Sequence, residues 1–197
     1  ITLKEVFPLI KANKMWVGTT SFSKDMLFIS PEKVDPTTKP SSATRIVDGI
    51  VYLRSPSVWY SNLDHGRRHQ SLPLMSMQDN IKFSKHKEIK GKEYQKYDNY
   101  NAIDVPFTDA IPTDYDGVMG VPISFLDKYC PEQFEIIWRG GDIEWAEKEC
   151  NFFTPPSQDK ATEYKKQDVT WRIQNPYLLT DGKVRTVYQR ILIKSKQ

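Results

Sequence analysis

Glycine is scarce in this chain, and where it occurs it makes no phosphate-binding pattern. Only 9 of the 197 residues are glycine, against 13 prolines and 12% aromatics. A loop that cradles phosphate needs glycine because its backbone must approach the ligand closely. Neither G-x-G-x-x-G nor G-x-x-x-x-G-K-[ST] occurs. A nucleotide-type cofactor held on such a loop is therefore absent, or its site lies outside this stretch of polypeptide.

Other absences narrow the class further. The two cysteines, Cys130 and Cys150, make neither a disulfide scaffold nor a four-cysteine zinc site. No apolar run approaches the roughly 20 residues that span a bilayer, so no membrane association is expected. A chain of 197 residues, 39% of them hydrophobic, can bury a core without staples and fills one domain or a domain and a half. Ile1-Thr2-Leu3-Lys4-Glu5 has neither a signal-peptide pattern nor an initiator methionine. The expectation is a processed chain or a piece of a longer one, soluble and cytoplasmic.

Apolar spacing places the elements. Leu3, Val6, Phe7 and Ile10 predict a short helix over residues 4–13, interrupted by Pro8. Strands are expected at Lys14–Gly18, Leu27–Ile29, Asp48–Leu53 and Ser57–Leu63, the last two joined by an Arg54-Ser55-Pro56 hairpin turn. Residues 30–44 read as a loop. Helix followed by several strands resembles the trailing half of an α/β sheet. A boundary falls near residues 65–75, where the chain turns polar and basic through Lys96. Residues 97–117 are acidic and aromatic with little periodicity. Val121–Tyr129 reads as a short helix and Phe134–Trp138 as a strand. Val184–Lys194 reads as one closing strand, entered through a Thr180-Asp181-Gly182-Lys183 turn.

Several constellations invite chemistry. His65 and His69 are four apart, but no third zinc ligand is evident and a basic, solvated or phosphate-facing surface fits better. The lysines between 82 and 96, with Phe83, Tyr94 and Tyr97 nearby, have the make-up of a nucleic-acid contact or of an ordinary solvated face. Asp109, Asp114, Asp116, Asp127 and Glu132 would have to converge with a lysine to form a metal-dependent nuclease site, and their spacing does not require it. Asn175-Pro176-Tyr177 and Thr154-Pro155-Pro156-Ser157 each fall short of the Asp/Asn-Pro-Pro-Phe/Tyr tetrapeptide of amino-group DNA methyltransferases and read as turns.

A longer likeness runs through the chain. Asp114–Tyr129, D-Y-D-G-V-M-G-V-P-I-S-F-L-D-K-Y, followed by Pro131–Ile137, resembles a hallmark segment of EcoRI-type adenine-specific DNA methyltransferases. Ile1–Gly18, Val58–His65, Tyr97–Val105 and Tyr188–Lys194 resemble other segments of that family in the same order. The family's cofactor motif and Asn-Pro-Pro-Phe-type motif lie upstream of the matching region. The glycine-rich run expected after the F-E-I-I strand is missing from residues 139–175, where the chain diverges.

The resemblance implies methyl transfer from S-adenosylmethionine to the exocyclic amine of adenine in a specific DNA sequence, as in restriction-modification. It implies an α/β fold: the trailing part of a Rossmann-like methyltransferase sheet over 1–66, and a mixed α+β target-recognition region over 67–197. Double-stranded DNA and the missing N-terminal methyltransferase portion are the expected partners. No catalytic, cofactor or metal residue is expected in this chain, which alone would be inactive and bind no S-adenosylmethionine. Such an enzyme extrudes its target base and must grip phosphates. Trp59, Tyr60, Asn62 and His65 are assigned to target-base or DNA contact, and Arg67, Arg68, Lys82, Lys85 and Lys87 to phosphates. Trp59 is expected to pack in the core, and Tyr60 has either role open. The alternative function is a non-catalytic protein-interaction domain that retains this half of the fold.

Overall fold

The structure, a computed structural model, describes residues 5–19, 25–29, 43–55, 57–139, 177–180, 183–187 and 189–196. The described residues form a mixed α/β arrangement of several small sheets and two α-helices. The decoy prolines at 155, 156 and 176, and residues 140–176 as a whole, lie outside the described residues.

The chain opens with α1 (Phe7–Lys11), shorter than the spacing suggested because Pro8 stands in its first turn. Its buried residues, Phe7 and Ile10, face β8 (Phe134–Arg139), and the Phe7 and Trp138 rings meet edge to face at 5.5 Å. β1 (Trp16–Val17) follows at the expected place. β2 (Met26–Ile29), β3 (Thr44–Val47) and β4 (Ile50–Ser55) make an antiparallel sheet in the order β2-β4-β3.

This sheet corrects the expected hairpin. β4 runs straight through Arg54 and Ser55, and its hairpin partner is β3. The turn is Asp48-Gly49, both at positive φ (50° and 76°), the backbone that a two-residue turn between twisted strands demands. Arg54 is held in the strand by Asp25, with Nε to Oδ2 at 2.8 Å. The remaining piece of the expected second strand is β5 (Tyr60–Ser61), which pairs with β1 instead.

The main sheet has the order β6-β7-β11-β8, from β6 (Ala102–Asp104), β7 (Val118–Pro122), β8 and β11 (Arg190–Ser195). β6 and β7 are parallel, and β11 is antiparallel to both its neighbours. The helix expected at Val121–Tyr129 is therefore strand up to Pro122, then a 3-10 turn over Ile123–Lys128. The single closing strand divides into β10 (Lys183–Thr186) and β11: β10 forms a separate hairpin with β9 (Tyr177–Thr180), with Lys183 opposite Thr180 as the turn residues indicated, and β11 starts afresh. α2 (Met77–Phe83) was not expected, although Ser76 caps it by accepting from Asp79 N at 3.1 Å, and Asp114 accepts from Met77 N at 2.7 Å.

One apolar cluster joins Phe7, Ile10 and Val17 to Ile103, Val105, Ile111, Met119, Val121, Phe125, Phe134, Ile136, Ile191 and Ile193, so the core crosses residue 66 without a break. Beside it, Asp104 is buried and paired with Arg190, Nε to Oδ1 at 2.8 Å, while Tyr97 donates to Asp104 at 2.5 Å. Burial, and then the Asp104 charge, hold the Tyr97 hydroxyl well above its ordinary range. Gly120 is required here, because a Cβ would stand 2.7 Å from Tyr97 Cε2.

Asp104→Ala leaves a buried guanidinium without its counter-charge and should cost about 3–5 kcal/mol. Replacing both partners with apolar residues, Asp104→Leu with Arg190→Met, should cost clearly less, as read from urea unfolding midpoints. A single substitution no worse than the double would contradict this account of the core.

Candidate nucleic-acid interface

The segment after β4 is built on the β1–β5 ladder. Gly18 N donates to Trp59 O at 2.8 Å, Val17 lies opposite Tyr60, and Trp16 Nε1 donates to Leu63 O at 2.9 Å. These bonds fix residues 59–63 and leave Trp59, Asn62 and Leu63 in solvent. Trp59 is 63% exposed and Leu63 76% exposed, which overturns the expectation that Trp59 packs in the core. Tyr60 does pack against the core, and its hydroxyl is buried without a hydrogen-bond partner. Burial, and then the charge of Asp127, push its pKa up. Asn62 is exposed.

Residues Gly66–His69 form a 3-10 turn, and its charged side chains divide the work. Val17 O accepts from His65 Nε2 at 3.0 Å, which holds the turn to β1 and places the hydrogen on that nitrogen. Arg67 donates to Thr19 O at 2.8 Å and pairs with Asp127 at 3.0 Å. Arg68 is buried, lies 3.6 Å over the Trp16 ring, and is bound by Asp64 and Asn13. Its guanidinium serves the packing of this turn on α1 and β1. His69 stands between two carboxylates, Glu132 at 2.8 Å and Asp64 at 2.9 Å. His65 and His69 thus go to different partners, and the described residues contain no group of His, Cys, Asp and Glu fit to hold a metal. The five carboxylates noted in the sequence are dispersed likewise, each as a cap or an ion-pair partner to its own neighbour where contacts are defined.

The basic run begins in the last turn of α2. Lys82 lies 4.9 Å over the ring of Phe83, itself 59% exposed, and lines an open hollow with Lys90 and Gly91. Lys85 pairs with Asp109 at 2.7 Å, and His86 donates to the same carboxylate at 2.8 Å while stacking on Phe107 at 3.7 Å. Burial raises the pKa of Asp109, but the hydrogen bonds from Lys85 and His86 outweigh it and hold the carboxyl below its ordinary range. Lys87 is exposed.

A cleft of about 260 Å³ brings two of these regions together. Arg67, Gln70, Ser71 and Lys128 line it with Asp109, over a floor of Leu72, Pro73 and Leu74. Arg67 and, through Asp109, Lys85 therefore meet at one place. Arg68, Lys82 and Lys87 do not line it.

The family described as adenine-specific methyltransferase EcoRI matches residues 1–196. The chain belongs to this family. Curated relatives of the chain include the type II methyltransferase M.EcoRI of Escherichia coli, 44% identical over 141 residues, which are 70% of this chain and 39% of the relative. The type II methyltransferases M.MgeORF184P of Mycoplasma genitalium and M.MpnI of Mycoplasma pneumoniae are 33% and 32% identical, over 70% and 68% of this chain and 40% and 39% of their own lengths. The chain thus spans about two fifths of the curated relatives it matches. No solved structure matches it. The cleft residue Lys128 escaped sequence reading as a candidate, and Asp109 stood out only as one of five carboxylates, not as a neighbour of Arg67. Nothing local joins them to Arg67, because the 3-10 turn and the Gln70–Leu74 segment meet only in the folded chain.

The His69 bridge sets a pH window. Hydrogen bonds to Glu132 first, and then to Asp64, raise the His69 pKa above its ordinary 6.5. Hydrogen bonds from His69 lower those of Asp64 and Glu132 below 3.8 and 4.5. The histidine's contribution is complete below pH 6.5 and is lost as pH rises through its folded value. That of the carboxylates is complete above their unfolded values and is lost as pH falls through their folded ones. Stability from the bridge should peak between about pH 5 and 6.5. His69→Gln should flatten that peak in thermal melts taken across pH, and an unchanged profile would refute the bridge.

Proposed function

We propose that this chain is the DNA-binding, target-recognition part of a site-specific DNA adenine-N6 methyltransferase of the restriction-modification type. In this reading it is inactive alone and completed by an N-terminal methyltransferase portion. The observation that carries it is the cleft where Arg67 and the Lys85–Asp109 pair meet, a few residues along the chain from a segment that exposes Trp59 and Asn62. The exposed Lys82 and Lys87 form the phosphate-facing set, with Arg67 and Lys85 beside them and largely balanced by Asp127 and Asp109, and Trp59 and Asn62 form the base-facing set. Tyr60 backs them from the core, and His65 and Arg68 hold the segment in place. An exposed tryptophan suits stacking on a base that has left the duplex.

The accompanying fold reading has residues 1–66 as the trailing part of a Rossmann-like methyltransferase sheet and 67–197 as a mixed α+β recognition region. The helix-strand order α1–β1 and the mixed main sheet support it. S-adenosylmethionine would be the methyl donor of the parent enzyme. The described residues do not fit it: the two glycines that approach another group closely, Gly117 and Gly120, face the chain's own Tyr115 and Tyr97. No step of this reading runs through the cofactor here. Among the described residues no helix is long and apolar enough to cross a membrane.

A second reading, a protein-interaction domain, draws on the β2-β4-β3 sheet, where Phe28, Ile29, Ile46, Ile50 and Leu53 are all exposed.

In a mobility-shift assay the chain should bind duplex DNA with an affinity that falls steeply with salt. Trp59→Ala should weaken binding by about 1–3 kcal/mol. Calorimetry with S-adenosylmethionine should show no binding heat. Tight cofactor binding would overturn the reading, and salt-independent capture of a protein without any DNA shift would favour the second.

A further inference from the structure

Among the described residues, the cleft between the 3-10 turn at Gly66–His69 and the start of α2 holds one cation that the fold does not use. Arg67 is committed to Asp127 and Thr19 O. Asp109 is committed to Lys85 and His86. Lys128 lines the same cleft, is exposed, and has no ion-pair partner among the described residues. The paired charges cancel, so the cleft has a surplus of one positive charge, carried by Lys128.

The cleft is also held open by construction. Leu72 N donates to Gln133 Oε1 at 2.8 Å, and Gln133 Nε2 donates back to Leu72 O at 3.1 Å. This two-bond latch fixes the Leu72-Pro73-Leu74 floor against the start of β8, where a flexible segment would collapse into the space. An apolar floor beneath a single cation suits a group that is apolar on one side and anionic on the other, which describes the deoxyribose and phosphate of one nucleotide unit.

Resting on the DNA-binding reading above, we infer that this cleft seats a DNA phosphate on Lys128, with the adjoining sugar against Leu72-Pro73-Leu74. Asp109 weakens that contact by its charge, and Lys85 and His86 limit the weakening by neutralising it. Lys128 is thus a DNA-contacting residue, and Asp109 is a group that acts on the bound phosphate through space and with the opposite sign. A purely structural role for either would not give effects of opposite sign on one equilibrium.

The test is fluorescence anisotropy of the full chain with a labelled DNA duplex at several salt concentrations. Lys128→Ala should weaken binding about three- to tenfold and lower the slope of log K against log salt by about 0.9, the signature of one lost phosphate contact. Asp109→Asn should tighten binding by a comparable factor. Lys194→Ala, an exposed lysine of β11 that does not line the cleft, should leave both quantities unchanged. Thermal melts of each variant guard against misfolding. If the wild-type chain binds DNA with salt dependence and Lys128→Ala changes neither affinity nor slope, the inference falls and the DNA-binding reading stands. If the wild-type chain binds no duplex at all, that reading falls and takes the inference with it. Displacement of the duplex by an equimolar deoxynucleoside monophosphate would assign the cleft to a free nucleotide and overturn the inference.

Discussion

The buried carboxylate of Asp104 joins parts of the main sheet that the chain makes far apart. It ends β6, receives Arg190 from the start of β11, and takes the Tyr97 hydroxyl, whose ring lies against Gly120 of β7. A buried ion pair adds little net stability, since removing two charges from water costs nearly what their attraction returns. Its weight lies in what it forbids. Any other register of β11 would leave either Asp104 or Arg190 buried without a counter-charge. Arg190 lies opposite Pro122 and Asp104 opposite Gly120, so one set of contacts fixes both the parallel and the antiparallel edge of β7.

The candidate interface depends on this frame at one remove. β7 leads directly into the 3-10 turn at Ile123–Lys128, which carries Asp127 to Arg67 and Lys128 to the cleft. β8 starts just after Gln133, whose amide holds Leu72, and just beyond Glu132, which holds His69. From the other side α1 and β1 supply Asn13, Trp16 and Val17 as partners for Arg68 and His65. The charged turn is therefore clamped from three directions. This explains why two basic residues adjacent in sequence, Arg67 and Arg68, take different places, one at the cleft and one buried against Trp16.

Where a signal was local, it was legible. The Trp16–Val17 and Phe134–Trp138 strands stand out as short apolar runs, and the Thr180/Lys183 pairing follows from a two-residue turn of ordinary chemistry. β7 was not legible, because Gly117, Gly120 and Pro122 punctuate it and read as turn. It is a strand because β6 and β11 flank it and Tyr97 occupies the space above Gly120. The Asp48-Gly49 hairpin turn was visible in principle, but the neighbouring Arg54-Ser55-Pro56 offered a competing break. The family likeness carried much further than periodicity did, since a long segment such as Asp114–Tyr129 preserves contacts that no local pattern encodes. Of the site residues, the basic ones were legible as types. Their partners were not, and partners decide which cation is surplus.

The order of strands in the main sheet has a kinetic side. β8 ends at Arg139 and β11 begins at Arg190, yet β11 lies between β7 and β8. During synthesis β7 and β8 emerge early and have no partner for their facing edges until β11 leaves the ribosome. Pairing strands so far apart in the sequence is entropically slow, and unpaired edges are prone to pairing with other chains. The nascent chain should thus depend on chaperones over that interval, or on neighbouring elements that shield the two waiting edges.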